Sequence, residues 1–409
     1  MRCSGSRDRI NTTFPSIQPL RSRQLARSFL SGVLLTVCVL LVAAASEVEA
    51  GYTFTFVADT TGPFSFFGPV SLNGSGTVAF AAGFDGSGAG VFKGNGGVLT
   101  TITTAATPPF GNPFKPPSIN QAGMVAFSAG DRVLAGNGGP LVTIADTAGQ
   151  FKDFPSGYSA SINASGTVAF IAFLDAGGGG IFAGNGGATT PILSWAPPFG
   201  SDSSLTLNDA GTVAFKSYYQ TGSITGVATL NGGVVATIAD STGPFNYFGA
   251  APSLNNAGTV AFAAGVNGRD GGVFGIYSGN GGSLKTIADL SGPFSYLGDF
   301  DTYQPSINAS GMVAFSGALD AGGGGVFIGD GMITSEVIQA GDPLFGSIAT
   351  GVGVFPRSLN DAGQVAFSYT LANGTRGIAI ANPVPEPSAS LLLTLSLGLS
   401  LARRIRRKY

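Results

Sequence analysis

The sequence predicts an all-β fold built from seven copies of one four-stranded unit, and three observations support this. The pattern Asn-x-x-Gly-x-Val-Ala-Phe occurs seven times, at spacings of 43 to 53 residues. Each copy contains short apolar runs separated by turn signals, and the segment before the first copy matches a strand that the last copy lacks. A four-stranded unit with this period is typical of a β-propeller blade. We therefore predict a seven-bladed β-propeller whose last blade is completed by the N-terminal strand.

The first turn of each repeat is built on an asparagine. These residues are Asn73, Asn120, Asn163, Asn208, Asn255, Asn308 and Asn360. A glycine follows each of them three residues later, as Gly166 follows Asn163. Asparagine suits the first position of a tight turn, and glycine suits a position that needs a positive φ. The pattern thus predicts a hairpin between the first two strands of every unit.

The rest of the unit predicts three more strands. In the third copy, residues 167–172 alternate so that Val168 and Phe170 share one face and Ala169 lies on the other. A glycine-rich loop (177–180) follows; it lacks the Lys-Ser/Thr of a phosphate-binding P-loop, so we interpret it as a turn. Asn185-Gly186-Gly187 is a hairpin signal that leads into the fourth strand.

The two ends of the array complement each other. The seventh unit predicts strands at 357–359, 364–369 and 377–381, and then reaches Pro383 without a fourth strand. Residues 52–64 resemble the fourth-strand segments 236–245 and 286–294, including their Ala-Asp and Gly-Pro-Phe elements. Pairing this N-terminal strand with the last unit would close the ring and leave no long unpaired edge.

The N-terminal segment, residues 1–50, has the features of a secretory signal peptide. A basic region with Arg21, Arg23 and Arg27 precedes an apolar run (29–45) and a small-residue cleavage site at 48–50. An uncleaved membrane anchor is the alternative. Both cysteines, Cys3 and Cys38, lie in this segment, so the predicted domain of residues 51–382 contains no disulfide.

The C-terminal segment, residues 383–409, combines a proline-rich motif, an apolar run (389–402) and a basic end. The motif is Pro385, Glu386 and Pro387, and the basic residues are Arg403, Arg404, Arg406, Arg407 and Lys408. The run is shorter than the ~20 residues of a stable transmembrane helix. The basic cluster would hold the C-terminus on the cytoplasmic side of the membrane.

This tail resembles the PEP-CTERM sorting signal of Gram-negative bacteria. The resemblance implies an exosortase-type enzyme as a transient partner and transient anchoring in the inner membrane. It also implies removal of the helix, with release or attachment at the cell surface, and an association with exopolysaccharide. The repeats resemble bacterial surface proteins with Asn-x-x-Gly-x-Ala-Phe tandem repeats and variable C-terminal anchors, a family that implies no assigned activity.

The composition excludes several kinds of catalytic site and metal site. The chain has no histidine, which excludes Ser-His-Asp and Cys-His nucleophile systems and His-ligated metals. The predicted domain carries nine Lys and Arg against eighteen Asp and Glu, a net charge of about −9. An acidic surface argues against nucleic acid as a partner. A glycosidase that uses a pair of aspartates stays open.

Two sets of loop aspartates are candidate ligands. Asp85, Asp175 and Asp320 follow the second strand, while Asp59, Asp146, Asp240 and Asp289 follow the fourth. One interpretation is a set of carboxylates that binds calcium or sugar, because hard cations prefer oxygen ligands. The other is that each Asp caps its own turn. Recurrence in several blades favours turn caps, and we predict no other cofactor.

Several aromatic residues interrupt the repeat and could stack on sugars or pack between blades. They are Trp195, the pair Tyr218 and Tyr219, and the segments 64–67, 245–248 and 294–296. We favour packing between blades. The sequence therefore predicts an exported, surface-sorted propeller with a binding or structural role and an exopolysaccharide association; a secreted carbohydrate-active enzyme and a purely structural spacer are the alternatives.

Overall fold

The computed structural model describes residues 51–105, 116–155, 159–195, 204–218, 225–266, 273–298 and 304–385. Over these residues the chain forms 32 strands and no helices, arranged in seven antiparallel sheets. The sheets are the blades of a β-propeller, which confirms the predicted fold class. In the described ranges there is accordingly no apolar helix of membrane-spanning length.

The strands are numbered in chain order, and β1 (Tyr52–Asp59) belongs to the last blade. Blade 1 contains β2 (Phe64–Leu72), β3 (Val78–Phe84), β4 (Ala89–Gly94) and β5 (Thr100–Ala105). Blade 2 contains β6 (Ser118–Ile119), β7 (Val125–Ser128), β8 (Arg132–Gly136) and β9 (Val142–Asp146). Blade 3 contains β10 (Phe151–Asp153), β11 (Ser161–Ile162), β12 (Val168–Leu174), β13 (Gly179–Gly184) and β14 (Thr190–Trp195). Blade 4 contains β15 (Leu205–Leu207), β16 (Val213–Tyr218), β17 (Thr225–Asn231) and β18 (Val234–Asp240).

The remaining blades follow the same order. Blade 5 contains β19 (Tyr247–Phe248), β20 (Ser253–Leu254), β21 (Val260–Val266), β22 (Val273–Gly279) and β23 (Lys285–Asp289). Blade 6 contains β24 (Phe294–Leu297), β25 (Ser306–Ile307), β26 (Val313–Leu319), β27 (Gly324–Gly329) and β28 (Thr334–Gln339). Blade 7 contains β29 (Pro343–Leu344), β30 (Ser347–Gly353), β31 (Val365–Leu371), β32 (Arg376–Pro383) and β1.

The N-terminal strand completes the last blade, as the sequence predicts. β1 pairs antiparallel with β32 over its whole length, from Tyr52 opposite Pro383 to Asp59 opposite Gly377, with one bulge between Phe56 and Ala58. Phe54 packs edge-on against Phe367, with ring centroids 5.9 Å apart. The two ends of the domain therefore share one sheet, and no long edge of β32 is left unpaired.

One predicted strand of the seventh unit is wrong. Residues 357–359 do not form a strand; within them only Leu359 makes an isolated bridge, to Val365. The strand that pairs with β31 on that side is β30. The departure has a local cause, because Arg357 adopts φ = 65°, which is incompatible with an extended strand.

The apolar core is divided among the seven interfaces between blades. In blade 3, Val168 and Phe170 pack against Ala126 of blade 2, while Ala169 packs against Val213 and Phe215 of blade 4. The same division recurs at every interface. The Val-Ala-Phe triplet thus presents two large side chains to the preceding blade and one small side chain to the next, which explains why the alanine is small.

The repeated turns have the predicted geometry. Gly166 has φ = 84°, and its N–H donates to the carbonyl of Asn163 at 3.0 Å. All seven repeat glycines have φ between 75° and 85°, a region that glycine enters without steric cost. In the glycine-rich loop, Gly177 and Gly178 also have positive φ, and Gly179 and Gly180 begin β13. The turn prediction is therefore confirmed for Gly177 and Gly178 and is wrong for Gly179 and Gly180, which belong to the strand.

Several sequence predictions fall outside the described residues. These are the signal peptide at 1–50, the sorting residues from Glu386 onward with the basic end, Tyr219, and the side chains of Trp195 and Tyr218. Of the sorting motif, the structure describes Pro385, which is exposed.

Candidate functional site in the axial channel

The seven repeat asparagines meet around the propeller axis and form a closed ring of hydrogen bonds. Each side-chain Nδ2 donates to the backbone carbonyl of the asparagine in the next blade, at 3.0 to 3.4 Å. The ring closes where Asn360 donates to Asn73 at 3.1 Å. Each Oδ1 accepts the backbone N–H four residues later, at 2.9 to 3.0 Å. One buried side chain therefore both shapes its own turn and joins two blades.

The serine two residues before the asparagine forms a second set of bonds between blades in four of the seven repeats. The Ser118 hydroxyl accepts the N–H of Ile162 in the next blade at 3.1 Å, and the Ser161 hydroxyl accepts that of Leu207 at 2.9 Å. The hydroxyls of Ser253 and Ser306 likewise accept the N–H groups of Ile307 and Leu359, each in the next blade. These hydroxyls are buried, and those of Ser118 and Ser253 belong to residues that line the axial cavity.

A third ring surrounds the mouth of the channel, at the residue after each asparagine. Where this residue is polar, its side chain accepts the backbone N–H of the corresponding residue in the preceding blade. Gln121 accepts from Gly74 (3.0 Å), Asp209 from Ala164 (2.7 Å), Asn256 from Asp209 (3.0 Å) and Asp361 from Ala309 (2.8 Å). Asn256 also donates to Asp209 at 2.8 Å. Amide and carboxylate groups thus encircle the opening.

The rings enclose a cavity of about 150 Å³ on the propeller axis. Its wall contains six of the seven repeat asparagines, the leucine or isoleucine before each asparagine, and Ser118, Thr206 and Ser253; the residues of the third ring complete the lining at the mouth. A water molecule needs roughly 10–15 Å³ of such space, so the cavity has room for several waters or one small solute. Concave sites with a few convergent polar groups are typical ligand sites.

Arg357 of blade 7 reaches across this channel. Its Nη1 donates to the hydroxyl of Ser118 in blade 2 at 2.9 Å and to that of Ser161 in blade 3 at 2.7 Å. Burial without a compensating charge lowers the pKa of Arg357 to about 10. Its Nε is buried and has no hydrogen-bond partner.

The backbone at Arg357 departs from the other blades as well. The N–H of Leu72 donates to the carbonyl of Arg357 at 2.8 Å, whereas the equivalent N–H groups of Ile162 and Leu207 donate to a serine hydroxyl. The Ser358 hydroxyl is turned away and donates to the carbonyl of Phe355 at 2.6 Å. At the interface between blades 7 and 1, the backbone carbonyl of Arg357 therefore takes the place of the serine hydroxyl as hydrogen-bond acceptor.

Sequence reasoning treated Arg357 only as the start of a strand and missed this role. The signal was nevertheless present in the repeat. The residue three before the asparagine is Val70, Pro117, Ala160, Leu205, Pro252 and Pro305 in the first six units, and Arg357 in the seventh. A single charged residue at an otherwise apolar repeat position was the observation that could have identified it.

The loop aspartates that follow the fourth strand are turn caps. The carboxylate of Asp59 accepts the N–H of Thr61 at 2.9 Å, and that of Asp240 accepts the N–H of Thr242 at 3.0 Å. Asp146 and Asp289 make the same contact two residues on. Asp85, Asp175 and Asp320 are exposed and lie in three different blades. Within the described ranges no three acidic, cysteine or histidine residues cluster as metal ligands would.

The aromatic segments are divided between core and surface. Phe64, Phe245 and Phe294 are buried, and each belongs to an interface core that also contains residues of the preceding blade. Phe66 and Tyr296 remain 39% and 44% exposed. Packing between blades therefore accounts for the first aromatic residue of each segment.

Comparison with known proteins gives a match to a family of unknown function and distant structural likenesses. A model of a family of unknown function (DUF7453) matches residues 203–354 and 345–391. No curated protein matches this sequence. The chain is similar to the crystal structure of oligogalacturonate lyase from Vibrio parahaemolyticus, at 12% identity and a TM-score of 0.48, covering 83% of this chain and 99% of that one. It is also similar to YCF48 from Cyanidioschyzon merolae, at 11% identity and a TM-score of 0.43, covering 80% and 99%.

Proposed function

We propose that this protein is an exported, non-catalytic β-propeller of the bacterial cell surface or extracellular matrix that binds exopolysaccharide at the mouth of its axial channel. The observation that carries the binding proposal is the third ring. Gln121, Asp209, Asn256 and Asp361 present planar amide and carboxylate groups around a concave opening, and such groups suit the hydroxyls of a sugar because each can form directed hydrogen bonds.

The same ring favours binding over catalysis. Asp209 and Asp361 each accept a backbone N–H from the neighbouring blade, so both carboxylates already hold blades together. A glycosidase needs one carboxyl group to donate a proton and a second to act as base or nucleophile. Carboxylates committed as acceptors to the backbone are better suited to fixed hydrogen bonding with a ligand.

The export half of the proposal rests on the N-terminal signal and the C-terminal tail, with exosortase processing as its test. Mass spectrometry of the protein recovered from the source organism should find an N-terminus near Gly51 and a C-terminus that lacks the basic residues 403–408. Recovery of an intact tail in the cell-surface fraction would contradict the sorting half. An intact N-terminus in the membrane fraction would favour the uncleaved anchor.

The binding half can be tested by retention of the full-length chain on immobilised extracellular polysaccharide of the source organism. Ala309 lies exposed on the mouth ring, so Ala309→Trp should obstruct the opening and reduce retention. Ala188, in an exposed loop of blade 3, supplies the matched control Ala188→Trp, which should be retained like the wild type.

Equal retention of the two tryptophan variants would place binding away from the channel, and no retention of the wild type would overturn the binding proposal. Release of new reducing ends from the polysaccharide would instead support an enzyme. Repeating the assay with calcium and with a chelator tests the exposed aspartates, because loss of retention on chelation would assign them a calcium-binding role.

A further inference from the structure

Arg357 is a half-buried cation without a counter-charge. Arg132 pairs with Asp131 on the surface, but among the residues that the structure describes no carboxylate pairs with Arg357. Removing a charged group from water is costly unless it is paired. The channel thus holds an uncompensated positive charge on the propeller axis.

The guanidinium also has unused donors. An arginine carries five N–H groups, and the two hydrogen bonds that it makes in the described structure both come from Nη1. Nε is buried without a partner. The hydroxyls of Ser118 and Ser161 each accept two hydrogen bonds, one from a backbone N–H and one from Arg357. Each hydroxyl therefore keeps its own O–H to donate.

Stabilisation of the ring alone does not account for this residue. The other six blades close the same position with Val, Pro, Ala or Leu. Arg357 brings a left-handed backbone, at φ = 65°, in addition to its half-buried charge. Strained conformations of non-glycine residues concentrate at functional sites. The strain, the unpaired charge and the unused donors all occur at one residue that interrupts the repeat.

We propose that Arg357, Ser118 and Ser161 form a binding site for one small oxyanion, either a carboxylate or an inorganic oxyanion such as phosphate, in the axial channel. The guanidinium supplies the positive charge, and its planar fork matches the oxygens of such an anion. The two serine hydroxyls contact the guanidinium and supply further donors. Arg357 and Ser118 line the cavity of about 150 Å³, which has room for one such group. This site does not depend on the proposed polysaccharide binding.

The negative charges at the mouth of the channel are expected to weaken oxyanion binding. Asp209 and Asp361 lie on the ring through which an anion would enter. Their carboxylates repel an anion, and this repulsion is screened by salt. Asp361→Asn keeps the side-chain oxygen that accepts from Ala309 and removes the charge, so we expect it to strengthen oxyanion binding several-fold.

Titration calorimetry of the full-length chain tests the site. Phosphate, sulfate and acetate would be titrated separately at constant ionic strength, which distinguishes inorganic oxyanions from carboxylates. We expect one anion per chain, and a loss of about 10- to 100-fold in affinity for Arg357→Gln, as for hydrogen bonds to a charged group. Arg376, an exposed arginine of the same blade, supplies the control Arg376→Gln, which should bind like the wild type.

Anion binding by the wild-type chain is itself a test of the site. No saturable binding of any of the three anions at one per chain would overturn it, and so would equal binding by Arg357→Gln and the wild type. If Arg357→Gln does not fold, Arg357→Lys keeps the charge but loses the planar fork. Unchanged anion affinity in both Arg357→Lys and Ser118→Ala would also overturn the assignment of these residues to the site.

Discussion

The side-chain amide of Asn360 donates to the backbone carbonyl of Asn73, 3.1 Å away and 287 residues earlier in the chain. This bond joins the last blade to the first. The other six repeat asparagines make the same bond to the next blade. A turn residue selected by its local geometry is therefore also the residue that connects the whole ring around the axis.

Replacing Asn360 with alanine should destabilise the propeller by about 2–4 kcal/mol. The change removes the bond to Asn73 and the Oδ1 that accepts from Gln364 and Ala362, and buried groups left unpaired cost about 1–3 kcal/mol each. Urea denaturation would measure the loss. Asn120→Ala should cost a similar amount, because its bonds to Asn163 and Met124 are equivalent. Asn280→Ala, at an exposed hairpin, should change stability by less than about 0.5 kcal/mol.

Gly166 tests the backbone requirement of the turn without any packing effect. An added methyl group at Gly166 would meet no atom within 4 Å, but the residue has φ = 84°. Gly166→Ala should therefore cost about 1–2 kcal/mol through backbone strain. Gly139 also has open space around it and no positive φ, so Gly139→Ala is the matched control. Equal thermal stability of the two variants would contradict the strain argument.

Ala126→Leu tests why the middle residue of the Val-Ala-Phe triplet is small. Ala126 is fully buried against Val168 and Phe170 of the next blade. Extra methylene groups in a packed core cost typically about 1–3 kcal/mol, and we expect a loss of that size in the free energy of unfolding. Ala188→Leu, on an exposed loop, should be nearly neutral. A stable Ala126→Leu protein would indicate an unfilled gap between blades 2 and 3.

Arg357 predicts a pH dependence with a definite sign. Burial lowers its pKa to about 10 in the folded protein, whereas the unfolded chain keeps its proton at higher pH. Above pH 10 the unfolded state therefore binds more protons, and stability rises with pH by up to about 1.4 kcal/mol per unit. Urea denaturation of wild type and Arg357→Gln between pH 9 and 11 isolates this effect, because the other titrating groups are shared. The wild type should gain stability relative to the variant as pH rises. A constant difference would show that the folded protein keeps the proton.

Much of the fold could be predicted because the repeat is local. The Asn and Gly of each turn, the alternation in Val-Ala-Phe and the match between residues 52–64 and later fourth strands depend on backbone preferences within about ten residues. These preferences set seven blades and the pairing of β1 with β32. The strand predicted at 357–359 is wrong because Arg357 adopts a positive φ. An arginine in the sequence gives no sign of a left-handed backbone, unlike glycine or asparagine.

The sequence by itself therefore determined the architecture. The period and the turn residues recur in each copy, and the closing strand is recognised by its match to later fourth strands, so none of them requires knowledge of distant contacts. Only the tertiary structure decided what lies on the axis. Arg357 contacts Ser118 and Ser161, which are 239 and 196 residues away in the chain. The physical reason is that ring closure brings blade 7 opposite blades 2 and 3, so one arginine that interrupts a repeat becomes the charge at the centre of a polar channel.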